Sequence, residues 1–199
     1  MFKLYEYSPS GNCYKIRLLL TQLNIPFSRL EIDITKGESR TSEFLLKNPN
    51  GRIPVLEVEP GKFLSESNAI MFYLSEGTEF FPSDRFERAQ VMQWLFFEQY
   101  SHEPFIATSR FWHMTGKAEE YQEALQQKQA PGYTALGVME KHLEKNDFFV
   151  GDRYTIADIG LFAYTHVAGE GGFDLSGFPA IIKWLDRVQN QHRYISIKQ

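Results

Sequence analysis

The chain has 199 residues, 43% of them hydrophobic, 15% aromatic and 23% charged, with a formal net charge of -4. That composition excludes a disordered or collagen-like chain, and at roughly 150 residues per domain the length suits one large domain or two small ones. Residues 1–77 hold nine Lys/Arg and nine Asp/Glu, and residues 78–199 hold twelve and sixteen. Neither half offers the basic stripe by which proteins neutralise nucleic-acid phosphates. The longest apolar runs, Ile70–Leu74 and Trp94–Phe97, fall far short of the roughly 20 residues that span a bilayer. Met1–Glu6 carries no basic segment followed by an apolar stretch, so a cytoplasmic protein is expected, with neither membrane nor nucleic acid as partner. A single cysteine, Cys13, rules out an internal disulfide. The five histidines lack ligand spacing, so no metal is expected.

In chain order, alternation over Phe2–Tyr7 predicts a strand, and Ser8-Pro9-Ser10-Gly11 breaks it. Cys13, Ile16, Leu20 and Leu23 then recur at helical spacing, with Lys15 and Arg17 off that face, until Asn24-Ile25-Pro26 stops the pattern. Phe27–Ile34 reads as a second strand. Thr41–Lys47 reads as a short helix capped by Thr41 or Ser42, followed by turn chemistry at Asn48-Pro49-Asn50-Gly51. Val55–Val58 and Lys62–Leu64 flank Glu59-Pro60-Gly61 as an antiparallel pair, and Ser65 caps a helix running to Glu76. The order β-α-β-α-β-β-α defines an α/β domain over residues 1–77. A linker is expected at 78–86, and 87–199 read as an all-helical domain. Its helices are expected at about Asp84–Met114, Ala118–Lys145, Thr155–Ala168 and Phe178–Gln191. Val91–Tyr100 is apolar nearly all round, so it needs cover on more than one side, from a partner subunit or from further helices.

Three segments carry a family resemblance across essentially the whole chain. Asn48-Pro49-Asn50-Gly51-Arg52-Ile53-Pro54-Val55-Leu56-Glu57 is similar to the NPxGxVPxLE segment of the cytosolic glutathione transferase superfamily. Leu64-Ser65-Glu66-Ser67-Asn68-Ala69-Ile70 resembles its LxESxAI segment, and Val150–Asp158 its C-terminal GxxxSxAD motif. The resemblance is to bacterial members with the serine-type features of the theta-, phi- and zeta-like classes. It implies a thioredoxin-like N-terminal domain, a helical C-terminal domain, a homodimer, and glutathione as co-substrate with no metal.

By that resemblance Pro54 follows a cis bond that turns the N–H and C=O of Ile53 outward to pair with an extended tripeptide, a small case of β-augmentation. Arg52 belongs to the same glutathione-binding segment. Glu66 and Ser67 hold the γ-glutamyl end at a helix start, where free N–H groups attract a carboxylate; capping alone would place the same residues there. Arg40 stands where plant-type members carry a lysine for the glycine carboxylate, while Ser39 replaces their histidine. A solvated surface arginine explains Arg40 equally well.

The chemical task is to hold glutathione as a thiolate, which a hydroxyl near a helix N-terminus does by donating to the anion. Ser10 is the expected donor. Asn12 and Cys13 are its rivals, with Cys13 on the packed face of the first helix; Tyr5 and Tyr7 are further aromatic candidates. Thr155 and Asp158 form a capping box, a folding element. The electrophile wall is expected at Phe105, Arg110, Phe111 and Trp112. The expected function is therefore a glutathione transferase acting on a small electrophile, for detoxification. Its alternatives are a transferase-like protein-binding scaffold and a glutathione-dependent disulfide or peroxide reductase.

Overall fold

Four strands and three helices build the first of two units in the computed structural model, which describes residues 1–199. The strands are β1 (Phe2–Glu6), β2 (Phe27–Glu31), β3 (Val55–Glu59) and β4 (Lys62–Ser65); the helices are α1 (Gly11–Gln22), α2 (Ser42–Leu45) and α3 (Ser67–Ser75). The sheet order is β2-β1-β3-β4, with β1 parallel to β2 and antiparallel to β3, and β3 antiparallel to β4. This is the thioredoxin-like α/β arrangement that the family resemblance implies.

Strand alternation sorts the side chains of β1: Leu4 and Glu6 are buried, whereas Lys3 and Tyr5 turn to the opposite face. On that opposite face Tyr5 meets Phe44 of α2 and Phe63 of β4 edge-on, with Lys47 Nζ 5.5 Å from the Tyr5 ring. Glu57 closes the hairpin. Its carboxylate accepts from Lys3 Nζ at 3.1 Å, Tyr5 Oη at 3.0 Å and the Gly61 N–H at 3.1 Å. Burial first, then the Glu57 contact, pushes the Tyr5 hydroxyl up to about 12.

Three local expectations differ from what forms. β2 stops at Glu31 rather than Ile34, because Asp33 accepts from the Thr35 N–H and starts a 3-10 turn. Neither Ser65 nor Ser67 caps α3; the N-cap is Glu66, whose side chain makes no capping bond. Lys15 and Arg17, off the apolar face by periodicity, are both buried.

The second unit, Gly77–Gln191, is helical: α4 (Arg85–Phe97), α5 (Glu103–Met114), α6 (Gln122–Leu143), α7 (Ile156–Thr165) and α8 (Pro179–Gln189). The expected long helix from Asp84 to Met114 is broken by a π-helical turn at Glu98–His102. Pro104, in the first turn of α5, has no N–H for an i−4 carbonyl, so the ladder is interrupted there. Residues 78–86 are not a free linker. Phe80, Phe81 and Pro82 are buried, and the Phe80 carbonyl accepts from the Ile156 N–H at 3.0 Å. None of the helices is long and apolar enough to cross a membrane.

His192–Gln199, expected with the helical domain, instead clusters with the first unit. The cause is capture of its backbone carbonyls: Tyr14 Oη donates to Ile195 O at 2.7 Å, Arg17 Nη2 to Ile197 O at 2.8 Å, and Arg29 to Gln199 O.

At the start of α7 the expected capping box is present. Thr155 Oγ1 accepts from the Ala157 N–H at 3.2 Å, while the Asp158 carboxylate accepts from the Thr155 N–H at 2.9 Å. Asp158 also accepts from the Phe149 N–H at 3.2 Å and from Trp184 Nε1 at 3.0 Å, so one buried carboxylate joins the 148–150 segment, α7 and α8. Burial pushes its carboxyl up to about 6 against those donors. Because the folded value lies above the unfolded one, the native state binds the proton more tightly, and this group's contribution to stability declines as pH rises from about 4 to 6. Asp158→Ala strands several buried donors and should cost about 2 kcal/mol or more at pH 7. Urea unfolding should show its deficit against the parent widening as pH falls from 6 to 4.

Candidate active site

Register assembles the site. Tyr5 of β1 lies opposite Val55 of β3, and Val55 lies opposite Ser65 of β4. Since β1 and β4 run one way and β3 the other, the exit of β1, the entry of β3 and the exit of β4 meet at one end of the sheet. Each leads into a segment singled out in the sequence: Tyr7–Ser10, Arg52–Pro54, and Glu66–Ser67.

Ser10 is the N-cap of α1, with φ -71° and ψ 126°, and its Oγ accepts from the Cys13 N–H at 3.4 Å. Capping uses a lone pair of the hydroxyl, whose proton is shared between the neighbouring Cys13 sulfur and whatever else approaches the helix start. Ser10 thus fulfils its cap role and still presents a donor at a helix N-terminus, where the dipole favours negative charge.

Asn12 is half-buried, and its Oδ1 accepts from Ser67 Oγ at 3.2 Å. The buried Lys15 ammonium donates to Ser67 Oγ at 3.3 Å and to Asn68 Oδ1 at 3.2 Å. The N-termini of α1 and α3 are therefore joined by a polar network. Sequence reading missed Lys15, since helical periodicity alone placed it on the solvent side.

Cys13 is fully buried, and its Sγ accepts from the Tyr7 N–H at 3.4 Å. Burial pushes its thiol up to about 12, so it is neutral near pH 7 and walled off from reactants. Among the three catalytic candidates Cys13 is the one whose setting is a packing position.

The Ile53–Pro54 bond is cis. Ile53 takes no part in the β3 ladder, which begins at Val55, nor in any loop backbone hydrogen bond, so its N–H and C=O are open to a ligand strand. The preceding turn is organised by Asn48, whose Nδ2 donates to Arg52 O at 2.8 Å and whose Oδ1 accepts from the Asn50 N–H at 3.1 Å. Arg52 itself is exposed.

Glu66 is exposed and sits at φ 67° and ψ 112°, a left-handed setting unusual for a residue with a side chain. Such settings persist where the surroundings impose them, commonly at ligand sites. Here the β4 pairing on one side and the start of α3 on the other fix the backbone. Ser67, immediately after it, is buried.

Arg40 is exposed and lies across Gly51, donating from Nη1 to Asn50 O at 2.9 Å. Gly51 has φ 61°, and a Cβ there would come within 2.6 Å of Arg40 Nη1. The glycine is required both by its backbone and by the guanidinium resting on it.

In the second unit, the residues expected to face an electrophile are engaged within the helices. Arg110 is only 6% exposed, and its Nε donates to Glu170 at 2.7 Å. That ion pair fastens the 168–171 turn onto α5, so an anionic electrophile at Arg110 would share the guanidinium with Glu170. Trp112 stacks on Tyr121 with centroids 4.6 Å apart, and Lys128 Nζ lies 5.3 Å from the Trp112 ring and 5.7 Å from the Phe105 ring. Phe111 is half-buried.

Comparison with known proteins shows the family. Residues 1–76 match the family described as Glutathione S-transferase, N-terminal domain, and residues 91–192 match Glutathione S-transferase, C-terminal domain. A crystal structure of a glutathione S-transferase from Pseudomonas fluorescens [Pf-5] superposes with TM-score 0.97 at 51% identity, covering 100% of this chain and 99% of that one. The glutathione transferase URE2P6 from Phanerochaete chrysosporium, in complex with oxidised glutathione, superposes with TM-score 0.86 at 27% identity over 96% of this chain and 92% of that one. The disulfide-bond oxidoreductase YfcG of Escherichia coli (strain K12) is 31% identical over 96% of this chain and 91% of its own.

The chain belongs to the glutathione S-transferase family, and that membership supports a glutathione-dependent activity. Its single cysteine tests the burial of α1 directly. Iodoacetamide at pH 7.5 should leave the native protein unmodified and add one equivalent after denaturation, as read by intact mass.

Proposed function

We propose that this protein binds glutathione along Ile53 and at Glu66–Ser67, holds its sulfur as a thiolate through the Ser10 hydroxyl, and transfers it to a small electrophile. The observation that carries this reading is the meeting, at one sheet end, of a hydroxyl that caps α1, an unpaired backbone edge at a cis proline, and a helix N-terminus. Arg40 and Arg52 flank the same segment as further glutathione contacts. Lowering the glutathione thiol by about two units takes about 3 kcal/mol, within reach of one hydroxyl donor and a helix dipole. The thiol gives its proton to solvent, sulfur attacks the electrophilic carbon, and the leaving group departs with its electron pair. Holding thiolate and electrophile together supplies the rate.

A second reading is disulfide reduction, supported by the printed name of the Escherichia coli relative. The thiolate then attacks a disulfide, forming a mixed disulfide and expelling a thiolate. A second glutathione releases the other half, so glutathione ends oxidised and the substrate reduced. With Cys13 buried, this chemistry draws its sulfur from glutathione and not from the chain.

Calorimetric titration with reduced glutathione, with thiolate absorbance near 240 nm followed against pH, tests the proposal. Saturable binding with a depressed thiol pKa is expected, and Ser10→Ala should raise that pKa by about one to two units. Binding with no depression overturns the Ser10 reading, turnover of a model disulfide with none of an electrophile favours the reductase, and absence of binding favours the scaffold alternative.

We also propose a homodimer. Phe86, Phe96 and Tyr100 are 71%, 66% and 83% exposed, and with Ala89 and Gln93 they form one exposed row along α4 and the π turn. A row of that composition fits a self-complementary interface. The parent should sediment at twice the chain mass of 23.2 kDa, and the double variant Phe96→Glu, Tyr100→Glu at the mass of a single chain.

A further inference from the structure

Charged side chains hold every polar group of Ser8. Its N–H donates to Glu31 Oε1 at 2.9 Å and its hydroxyl to Glu31 Oε2 at 2.6 Å. The same hydroxyl accepts from Arg29 Nη2 at 3.1 Å, and the Ser8 carbonyl accepts from Arg17 Nη2 at 3.0 Å. Parallel pairing explains the reach: Glu31 ends β2 directly beside Glu6, which ends β1.

Ser8 opens the bend that carries Ser10. The Ser10 N–H donates to Tyr7 O at 2.8 Å, closing a four-residue turn with Pro9 in third place. The Ser8–Pro9 bond is not cis, and neither residue has positive φ. Proline is a poor third residue in such a turn because it pushes its predecessor out of the helical region. The turn therefore depends on side-chain anchors, and the Glu31 carboxylate is the one that grips both donors of Ser8.

We propose that Glu31 is a positioning residue for the thiolate site: by fixing Ser8 it sets the direction in which Ser10 presents its hydroxyl to the glutathione sulfur. The proposal rests on the reading of Ser10 as the thiol donor. Glu31 is exposed, and surface pairs add little to global stability, so its removal should act locally. Arg17, by contrast, is buried and shared with Glu6 and Ile197, and its loss would disturb the whole unit.

The test compares the parent, Ser10→Ala, Glu31→Ala and Glu31→Gln by thiolate absorbance against pH, glutathione Kd and melting temperature. Glu31→Ala should raise the bound thiol pKa by about half a unit or more, leave Kd within about twofold and shift the melting temperature by no more than about 3 °C. Glu31→Gln, which keeps one acceptor, should fall between parent and alanine, and it carries the test if the alanine variant folds poorly. A raised thiol pKa in Ser10→Ala with parental values in both Glu31 variants overturns the positioning role alone. Parental values in Ser10→Ala overturn the Ser10 reading and this proposal with it.

Discussion

The ion pair between Glu6 and Arg17 is the constraint on which the first unit depends. Both side chains are excluded from solvent, and burying two charges costs several kcal/mol per ion unless further hydrogen bonds complete their shells. The structure supplies most of those bonds, leaving only Arg17 Nε of this pair without one. Glu6 also receives Arg29, and Arg17 also donates to the Ser8 and Ile197 carbonyls. Four segments distant in sequence, namely β1, α1, β2 and the 192–199 tail, are thereby obliged to meet at one point. The apolar contacts of Leu4, Ile16 and Leu20 drive collapse without specifying it, whereas this node admits a single arrangement of strand ends.

That arrangement gives the site its geometry. The three segments to which the proposed function assigns glutathione span sixty positions of sequence, from Tyr7 to Ser67, yet none needs a long loop to arrive. Each is the immediate continuation of a strand whose register is already set by its neighbours. The polar ties between Asn12, Lys15, Ser67 and Asn68 then join the N-termini of α1 and α3. On the proposed reading of Ser10, pre-organisation of this kind is what a serine hydroxyl needs to act on a thiol, because the donor is not reoriented on binding.

Much of this was legible in the sequence. Alternation revealed β1 and the β3–β4 hairpin, Thr155 and Asp158 announced the start of α7, and the Asn48–Glu57 and Leu64–Ile70 segments carried the resemblance that identified the fold. What was hidden has a common character. Lys15 and Arg17 violate helical amphipathicity, so a periodicity argument sends them to solvent, when their burial is decided by partners on other elements. The tail's return is invisible because it is held through its own backbone carbonyls, which leave no trace in side-chain type. Glu31 has the composition of an ordinary surface carboxylate, and only the parallel register with Glu6 brings it to Ser8. The π turn at Glu98–His102 was signalled by Pro104, which the continuous apolar pattern around it masked.

The return of residues 192–199 to the first unit makes the helical unit an insertion in the chain's topology. On the ribosome, domains ordinarily finish in the order in which they emerge. Here the contiguous unit, Gly77–Gln191, has all its residues before the interrupted one does. The β-sheet unit is completed only when residues 192–199 bring the Ile195, Ile197 and Gln199 carbonyls to Tyr14, Arg17 and Arg29. A nascent chain therefore keeps its Glu6–Arg17 node incompletely satisfied until residue 197 has been made, and the Tyr7–Ser10 turn, tied to Arg17 through the Ser8 carbonyl, shares that delay.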